Sequence, residues 1–182
     1  MNYAAIKNCD IANGPGVRVS LFVSGCTHRC KGCFNEVAWD FNYGEAFTQD
    51  TIDMLLEMLS PPHIKGLTLL GGEPFEPENQ PEILKLLRQV KEKYPDKSIW
   101  AFTGYLIDRD ILPGHLGPWE ITREYLSYLD VLVDGPFVQD KKDLSLRFRG
   151  SSNQRLIDVQ ATLKNNAVVL WNDWQGNGRG LK

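Results

Sequence analysis

Three of the four cysteines lie in one short loop, and this feature constrains the chain more than any other. Cys26, Cys30 and Cys33 are spaced C-x-x-x-C-x-x-C directly after an apolar run. Thiolates this close in sequence indicate a shared metal site. Cysteine thiolates hold iron–sulfur clusters, and a cubane with only three cysteine ligands keeps one iron open for a non-protein ligand. The spacing therefore favours a cluster with an open iron, where chemistry takes place.

Two other uses of these cysteines are less favoured. A structural zinc site would need Cys9 or His28 as its fourth ligand. Such sites usually pair two short cysteine hooks from separate turns, and this sequence contains no second hook. A disulfide between two of the three would leave an odd reactive thiol. We expect Cys9 to be a small buried residue and His28 a surface residue of the loop, and a zinc-binding module stays the non-enzymatic alternative.

The composition is that of an ordinary globular domain. Of the 182 residues, 42% are hydrophobic and 24% are charged. No apolar run approaches the ~20 residues that a membrane span needs. The N-terminus has no secretory pattern, so we expect a cytoplasmic protein with reduced thiols. A net charge of -3 gives no reason to expect a nucleic acid partner. We expect one domain over residues 1–171 and a loose, flexible tail over 172–182.

Buried strands alternate with amphipathic helices along the chain. Apolar runs at 67–70, 98–102 and 131–133 are typical of buried parallel strands, and apolar stripes predict helices that begin near Thr48 and Pro81. Strand, helix and strand recurring in this order predict an α/β fold with a parallel sheet. Ligand sites of such sheets lie at the carboxyl ends of the strands.

Glycine or polar residues follow each of those three runs, at the strand ends where a ligand would bind. The segments are Gly71-Gly72-Glu73-Pro74, Thr103 and Asp134. Each could also be only a turn, because Gly, Asp and Pro are common turn residues. Further strands are predicted at 17–24, 155–159 and 167–171.

Several motifs in order resemble one family. The cysteine spacing resembles the radical S-adenosylmethionine superfamily. Residues 10–26 resemble the first strand of glycyl-radical-enzyme activating proteins, and residues 71–74 resemble their adenosylmethionine motif. Residues 100–105, 131–135 and 149–154 resemble the activating proteins of anaerobic ribonucleotide reductase. The resemblance runs from residue 1 to about residue 159.

This resemblance implies a fold and two cofactors. The fold would be a partial (β/α) barrel of the radical S-adenosylmethionine type. It would be open on one side, because a full eight-unit barrel typically takes ~250 residues. Cys26, Cys30 and Cys33 would hold one 4Fe-4S cluster, and S-adenosyl-L-methionine would bind its open iron. The implied cofactor-binding residues are Gly32, Cys33, Phe34, Gly71, Gly72, Glu73, Pro74, Thr103 and Asp134.

The resemblance also implies an activity and its partners. Reductive cleavage of S-adenosylmethionine would give a 5'-deoxyadenosyl radical that takes a hydrogen atom from a glycine of the anaerobic ribonucleotide reductase large subunit. An electron donor such as flavodoxin or ferredoxin would supply the electron. Another glycyl radical enzyme or a small molecule is the alternative target.

One position departs from the pattern of the related activating proteins, and further predictions concern arginines. Related activating proteins place a lysine near the position of Pro136 to hold the cofactor carboxylate, so Thr103, Asp134 or backbone groups would replace it here. We expect a structural role for Arg18. The cluster of Arg147, Arg149 and Arg155 is a hypothetical docking site for a partner with carboxylates, a solvated edge being the alternative.

Overall fold

Seven strands form a single mixed sheet in the computed structural model, which describes residues 1–172. The strands are β1 (Asn2–Asp10), β2 (Val17–Val23), β3 (Glu45–Ala46), β4 (Ile64–Gly71), β5 (Ser98–Phe102), β6 (Val131–Asp134) and β7 (Arg155–Asp158). The helices are α1 (Gln49–Leu59), α2 (Gln80–Lys93), α3 (Trp119–Tyr128) and α4 (Val159–Asn165). Single helical turns lie at Glu36–Trp39, Ile107–Ile111 and Gln139–Lys141.

The strand order places the carboxyl ends of four neighbouring strands at one edge. The order is β3-β1-β2-β4-β5-β6-β7, and β2, β4, β5 and β6 pair in parallel. The outer pairs are antiparallel: β1 with β2, β3 with β1, and β7 with β6. The structure is mixed α/β, with a sheet whose four inner strands are parallel. An open barrel stays a prediction.

The apolar stripes of the helices cover the sheet and form the core, as the periodicity predicted. Ile52, Leu55 and Leu59 of α1 and Ile83 and Val90 of α2 are buried. Helix α1 follows Thr48, whose backbone N–H donates to Thr51 Oγ1 at 3.2 Å. Among residues 1–172, no helix is both long enough and apolar enough to cross a membrane.

Three features at the chain ends differ from the sequence prediction. Strand β1 was not predicted, because only two of its nine residues, Tyr3 and Asp10, are buried, which leaves little apolar pattern. No strand forms at 167–171, where Leu170 makes only an isolated bridge to Ile157. Helix α4 follows β7 instead, and Asp158 caps it by accepting a hydrogen bond from Ala161 N at 2.9 Å. The predicted flexible tail, apart from Asn172, lies outside the described residues.

Arg18 is fully buried and joins three strands. Its guanidinium donates to Thr68 Oγ1 at 2.7 Å, to Ser98 Oγ at 2.9 Å and to Leu67 O at 2.8 Å. Burial lowers the pKa of Arg18 to about 10, although the charges of Asp130 and Asp10 oppose the change. The group therefore stays cationic at neutral pH, and its contacts confirm the structural role.

We expect Arg18→Met to lower the free energy of unfolding by about 3 kcal/mol, because buried acceptors lose their donor. Arg123→Met is the matched control, since Arg123 is exposed on α3. The control is expected to stay within about 0.5 kcal/mol of the unchanged protein. Urea unfolding followed by circular dichroism measures both. Equal stability of the two variants would contradict the structural role of Arg18.

Candidate metal centre

One cavity of about 430 Å³ lies at the carboxyl ends of β2, β4 and β5, in the size range of small-molecule sites. All three cysteines of the loop line it. Among the other predicted site residues, those that line it are Gly32, Phe34, Gly71, Gly72, Glu73 and Thr103. Parallel pairing explains the convergence, because it brings the ends of neighbouring strands to the same edge.

The three cysteines differ in exposure. Cys26 is 9% exposed, whereas Cys30 and Cys33 are half-buried. A backbone N–H group points at one of the sulfur atoms: Asn35 N donates to Cys33 Sγ at 3.4 Å. Such donors stabilise thiolates and tune the potential of an iron–sulfur cluster.

The donor set fits a cluster, although the thiols do not form a closed metal site by themselves. Within residues 1–172, no three His, Cys, Asp or Glu side chains are grouped closely enough to hold a metal ion. Metal sites are rarely preformed without their metal, because binding draws the ligands together. Three thiols around one cavity, with a backbone donor at the sulfur of Cys33, suit a 4Fe-4S cluster. The individual ligands stay a prediction.

Burial raises the pKa of the Cys26 thiol to about 11, and the charges of Glu73 and Glu76 add to this effect. Burial also raises the pKa of Cys30, and the neighbouring Cys33 contributes to the increase. Both groups are therefore neutral thiols at pH 7 when no metal is bound. Metal ligation has to remove their protons, so metal binding should release protons to the solvent.

The Gly-Gly step after β4 is required by the protein backbone. A Cβ atom on Gly72 would lie 2.5 Å from Gly25 O and 2.8 Å from Ala38 O. Gly71 has φ +109°, which side chains rarely adopt. Gly72 N donates to Val23 O at 2.7 Å, and Glu73 N donates to Gly25 O at 2.8 Å. The glycines thus allow the β4 turn to pack against the loop that carries Cys26.

The Glu73 carboxylate is 1% exposed and accepts three protein hydrogen bonds. It accepts from Phe75 N at 2.8 Å and from Gly104 N at 2.8 Å, and it contacts His28 Nε2 at 3.0 Å. Burial acts to lower the pKa of His28, but the hydrogen bond and charge of Glu73 raise it above its usual value. His28 also packs on Tyr105, with ring centroids 4.3 Å apart. The prediction that His28 is a surface residue is therefore wrong.

Asp134 and Pro74 do not line the cavity. The Asp134 carboxylate is 0% exposed, accepts from Arg155 Nη2 at 2.6 Å and also accepts from Ile107 N at 2.9 Å. The structure therefore gives no support to a cofactor contact of Asp134, because its side chain pairs with Arg155 and the backbone of Ile107 and does not line the cavity. Pro74 is buried.

Comparison with known proteins identifies the family. A family model described as a 4Fe-4S single cluster domain matches residues 12–157. The chain is 45% identical over 156 residues to the anaerobic ribonucleoside-triphosphate reductase-activating protein of Escherichia coli (strain K12), covering 85% of this chain and 96% of that protein. The chain belongs to this family of activating proteins. The namesake of Enterobacteria phage T4 is 44% identical over 156 residues, which cover 86% of this chain and 93% of that protein. That of Vibrio cholerae is 43% identical over 157 residues, covering 85% and 96%.

In this member of the activating protein family, Cys9 does not occupy the buried position that we expected for it. The residue is exposed on β1 and does not line the cavity. The prediction of a buried Cys9 is wrong, because β1 is an outer strand whose alternate side chains face solvent.

The connection from β6 to β7 forms a wall of the cavity that the sequence did not predict. Lys142 and Arg149 line the cavity, together with the rings of Phe137 and Phe148. Contacts across more than a hundred residues leave no local pattern. Lysine and arginine near Pro136 were the one available signal.

The arginine cluster divides between structural and surface positions. Arg155 pairs with Asp134 and with Asp108, to which Nη2 donates at 2.7 Å. Arg149 Nη1 donates to Gln154 O at 2.7 Å. Arg155 is thus a structural residue and not a free docking cation. All three arginines line a second, open groove of about 420 Å³ beside β7.

Proposed function

We propose that this chain activates anaerobic ribonucleoside-triphosphate reductase as a radical S-adenosylmethionine enzyme. When bound, the 4Fe-4S cluster and S-adenosylmethionine supply an electron and a 5'-deoxyadenosyl radical that removes a hydrogen atom from a glycine of the reductase. One observation carries the proposal: the three cysteines and the Gly71–Glu73 segment line the same cavity, in a chain that belongs to the activating protein family.

The chain's own residues would hold both groups in this cavity. Cys26, Cys30 and Cys33 would ligate three irons. Gly32 and Phe34 would contact the adenosine, and Phe34 is 81% exposed at the rim and thus accessible to a ligand. Aromatic rings provide apolar area of this kind at low conformational cost.

The amino-acid end of S-adenosylmethionine would lie at the ends of β4 and β5. Glu73 would face its ammonium, and Thr103 would line the same part of the cavity. Lys142 would pair with the carboxylate of S-adenosylmethionine. It lines the cavity and would replace the lysine that related activating proteins have near the position of Pro136. Asp134 takes no part in this arrangement.

The cavity walls would protect the radical from water. Trp39, Phe102, Phe137 and Phe148 supply much of the lining, and apolar walls exclude solvent from a reacting centre. The reductase glycine would enter through the open side of the cavity, beside Phe34 and Leu144, which is 90% exposed. An electron donor such as flavodoxin or ferredoxin would supply the electron, and neither nucleic acid nor a membrane would be needed.

The test is an anaerobic assay with two candidate targets. The protein is reconstituted with iron and sulfide, reduced, supplied with S-adenosylmethionine and mixed with the anaerobic reductase or with a pyruvate formate-lyase. We expect 5'-deoxyadenosine to form. We also expect a glycyl doublet in the electron paramagnetic resonance spectrum of the mixture with the reductase and none in that of the mixture with the lyase.

Other outcomes would point to the alternatives. A doublet on the lyase and none on the reductase would move the activity to another glycyl radical enzyme. Formation of 5'-deoxyadenosine without a protein radical would indicate a small-molecule substrate. A colourless protein that binds zinc and shows no absorbance near about 400 nm would indicate a non-catalytic module, because iron–sulfur clusters absorb there.

A further inference from the structure

The turn after β4 binds the residues on both sides of Cys26 through three side chains spaced three residues apart, those of Glu73, Glu76 and Asn79. Glu73 contacts His28, as described above. Glu76 Oε1 accepts from Thr27 N at 2.7 Å and from Thr27 Oγ1 at 2.6 Å. Asn79 Nδ2 donates to Ser24 O at 3.0 Å. The residues on both sides of Cys26 are therefore hydrogen-bonded to one turn. Cys30 and Cys33 lie outside this hydrogen-bonded segment and are half-buried.

Glu76 is the unusual member of this set. Its side chain is 4% exposed, and it does not line the cavity. Among residues 1–172, no lysine or arginine forms an ion pair with it. Burying a carboxylate without a cationic partner carries a large desolvation cost, which other interactions of the folded protein have to offset. The backbone N–H and hydroxyl of Thr27 offset part of this cost.

The carboxylate also lies close enough to affect Cys26 electrostatically. Its Oε1 accepts from the N–H of Thr27, the residue that directly follows Cys26. Buried charges are screened little by salt, so the same charge acts on any cluster that Cys26 ligates. A fixed negative charge disfavours the addition of an electron, and net charge is one of the determinants of cluster potential.

We propose that Glu76 is a positioning residue for the cluster: it fixes Cys26 through Thr27 and places a buried negative charge beside the cluster that lowers its reduction potential. A lower potential makes the reduced cluster a stronger reductant. This inference rests on the proposed function only in needing the cluster to bind; it needs neither S-adenosylmethionine nor the reductase.

The electrostatic part is tested with Glu76→Gln, which removes the charge and keeps an oxygen that accepts from Thr27. Glu78→Gln is the matched control, because Glu78 is exposed on the same turn. Both iron-loaded variants are titrated with dithionite and followed by electron paramagnetic resonance. At a fixed potential, Glu76→Gln is expected to raise the ratio of reduced to oxidised cluster about tenfold, equal to a shift of about 59 mV for one electron. The control is expected to leave the ratio unchanged.

The positioning part is tested on the full chain without its cluster. Glu76→Ala leaves Thr27 without its acceptor, so Cys26 is expected to react with iodoacetamide about tenfold faster than in Glu76→Gln, which removes the same charge and keeps the acceptor. Exposed Cys9 on β1 serves as the internal reference, and its rate is expected to stay the same. Peptide mapping by mass spectrometry resolves the individual cysteines.

The outcomes separate this inference from the proposed function. An unchanged potential in iron-loaded Glu76→Gln overturns the electrostatic part, and equal Cys26 rates in Glu76→Ala and Glu76→Gln overturn the positioning part. If Glu76→Gln loses its iron, the Cys26 rate decides alone. A shifted potential together with no glycyl radical on the reductase would reject the proposed target and leave the role of Glu76 intact.

Discussion

Single replacement of Cys26, Cys30 or Cys33 by alanine is expected to abolish cleavage of S-adenosylmethionine. Each variant loses one of the three thiolates predicted to hold the cluster, and a cluster with two cysteine ligands has no stable site in this loop. Iron content is expected to fall strongly, and 5'-deoxyadenosine to fall below detection. Anaerobic reconstitution, iron counting and chromatography of the nucleoside measure these results.

Cys9→Ala is the matched control for this series. Cys9 is exposed on β1 and lies outside the cavity, so its loss is expected to leave both iron content and cleavage nearly intact. If Cys9→Ala lost its iron as completely as Cys30→Ala, a closed site with four ligands would replace the site with an open iron. The loss of cleavage in the three cysteine variants would then result from removal of a structural metal and not of a reacting one.

Glu73→Ala is expected to have two separate effects. The first is a ten- to hundred-fold loss of affinity for S-adenosylmethionine, because a charge-assisted hydrogen bond contributes about 1.5–3 kcal/mol. The second is a loss of stability of about 2 kcal/mol, because Phe75 N, Gly104 N and His28 lose their acceptor in a buried position. Calorimetric titration of the iron-loaded variant measures the first effect, and urea unfolding measures the second.

Two further variants separate the effects. Glu73→Gln removes the charge and keeps one acceptor oxygen, so it is expected to recover part of the stability but little of the affinity. Glu78→Ala, on the exposed part of the same turn, is expected to change neither. Unchanged affinity in iron-loaded Glu73→Ala would reject the contact with the cofactor ammonium and leave Glu73 as a structural residue.

Sequence by itself determined the features that depend on neighbouring residues. The C-x-x-x-C-x-x-C loop, the apolar stripes of α1 and α2 and the strand Ser98–Phe102 are visible as spacing and periodicity. The position of the Gly71–Glu73 segment at a strand end follows from the same reasoning. Parallel pairing then brings the cysteine loop, this segment and Thr103 to one cavity, as the recurring strand and helix order predicted.

Only the tertiary structure decided which polar side chains face the cavity and which face each other. His28 and Glu73 are 45 residues apart, Thr27 and Glu76 are 49 apart, and Asp134 meets Arg155 across an antiparallel pair. Sequence gives the chemistry of each group but not its partner, and burial makes the partner decisive because an unpaired buried charge is costly. The same reason explains Asp134: sheet pairing placed a cation against it, and a carboxylate at a strand end became a structural residue.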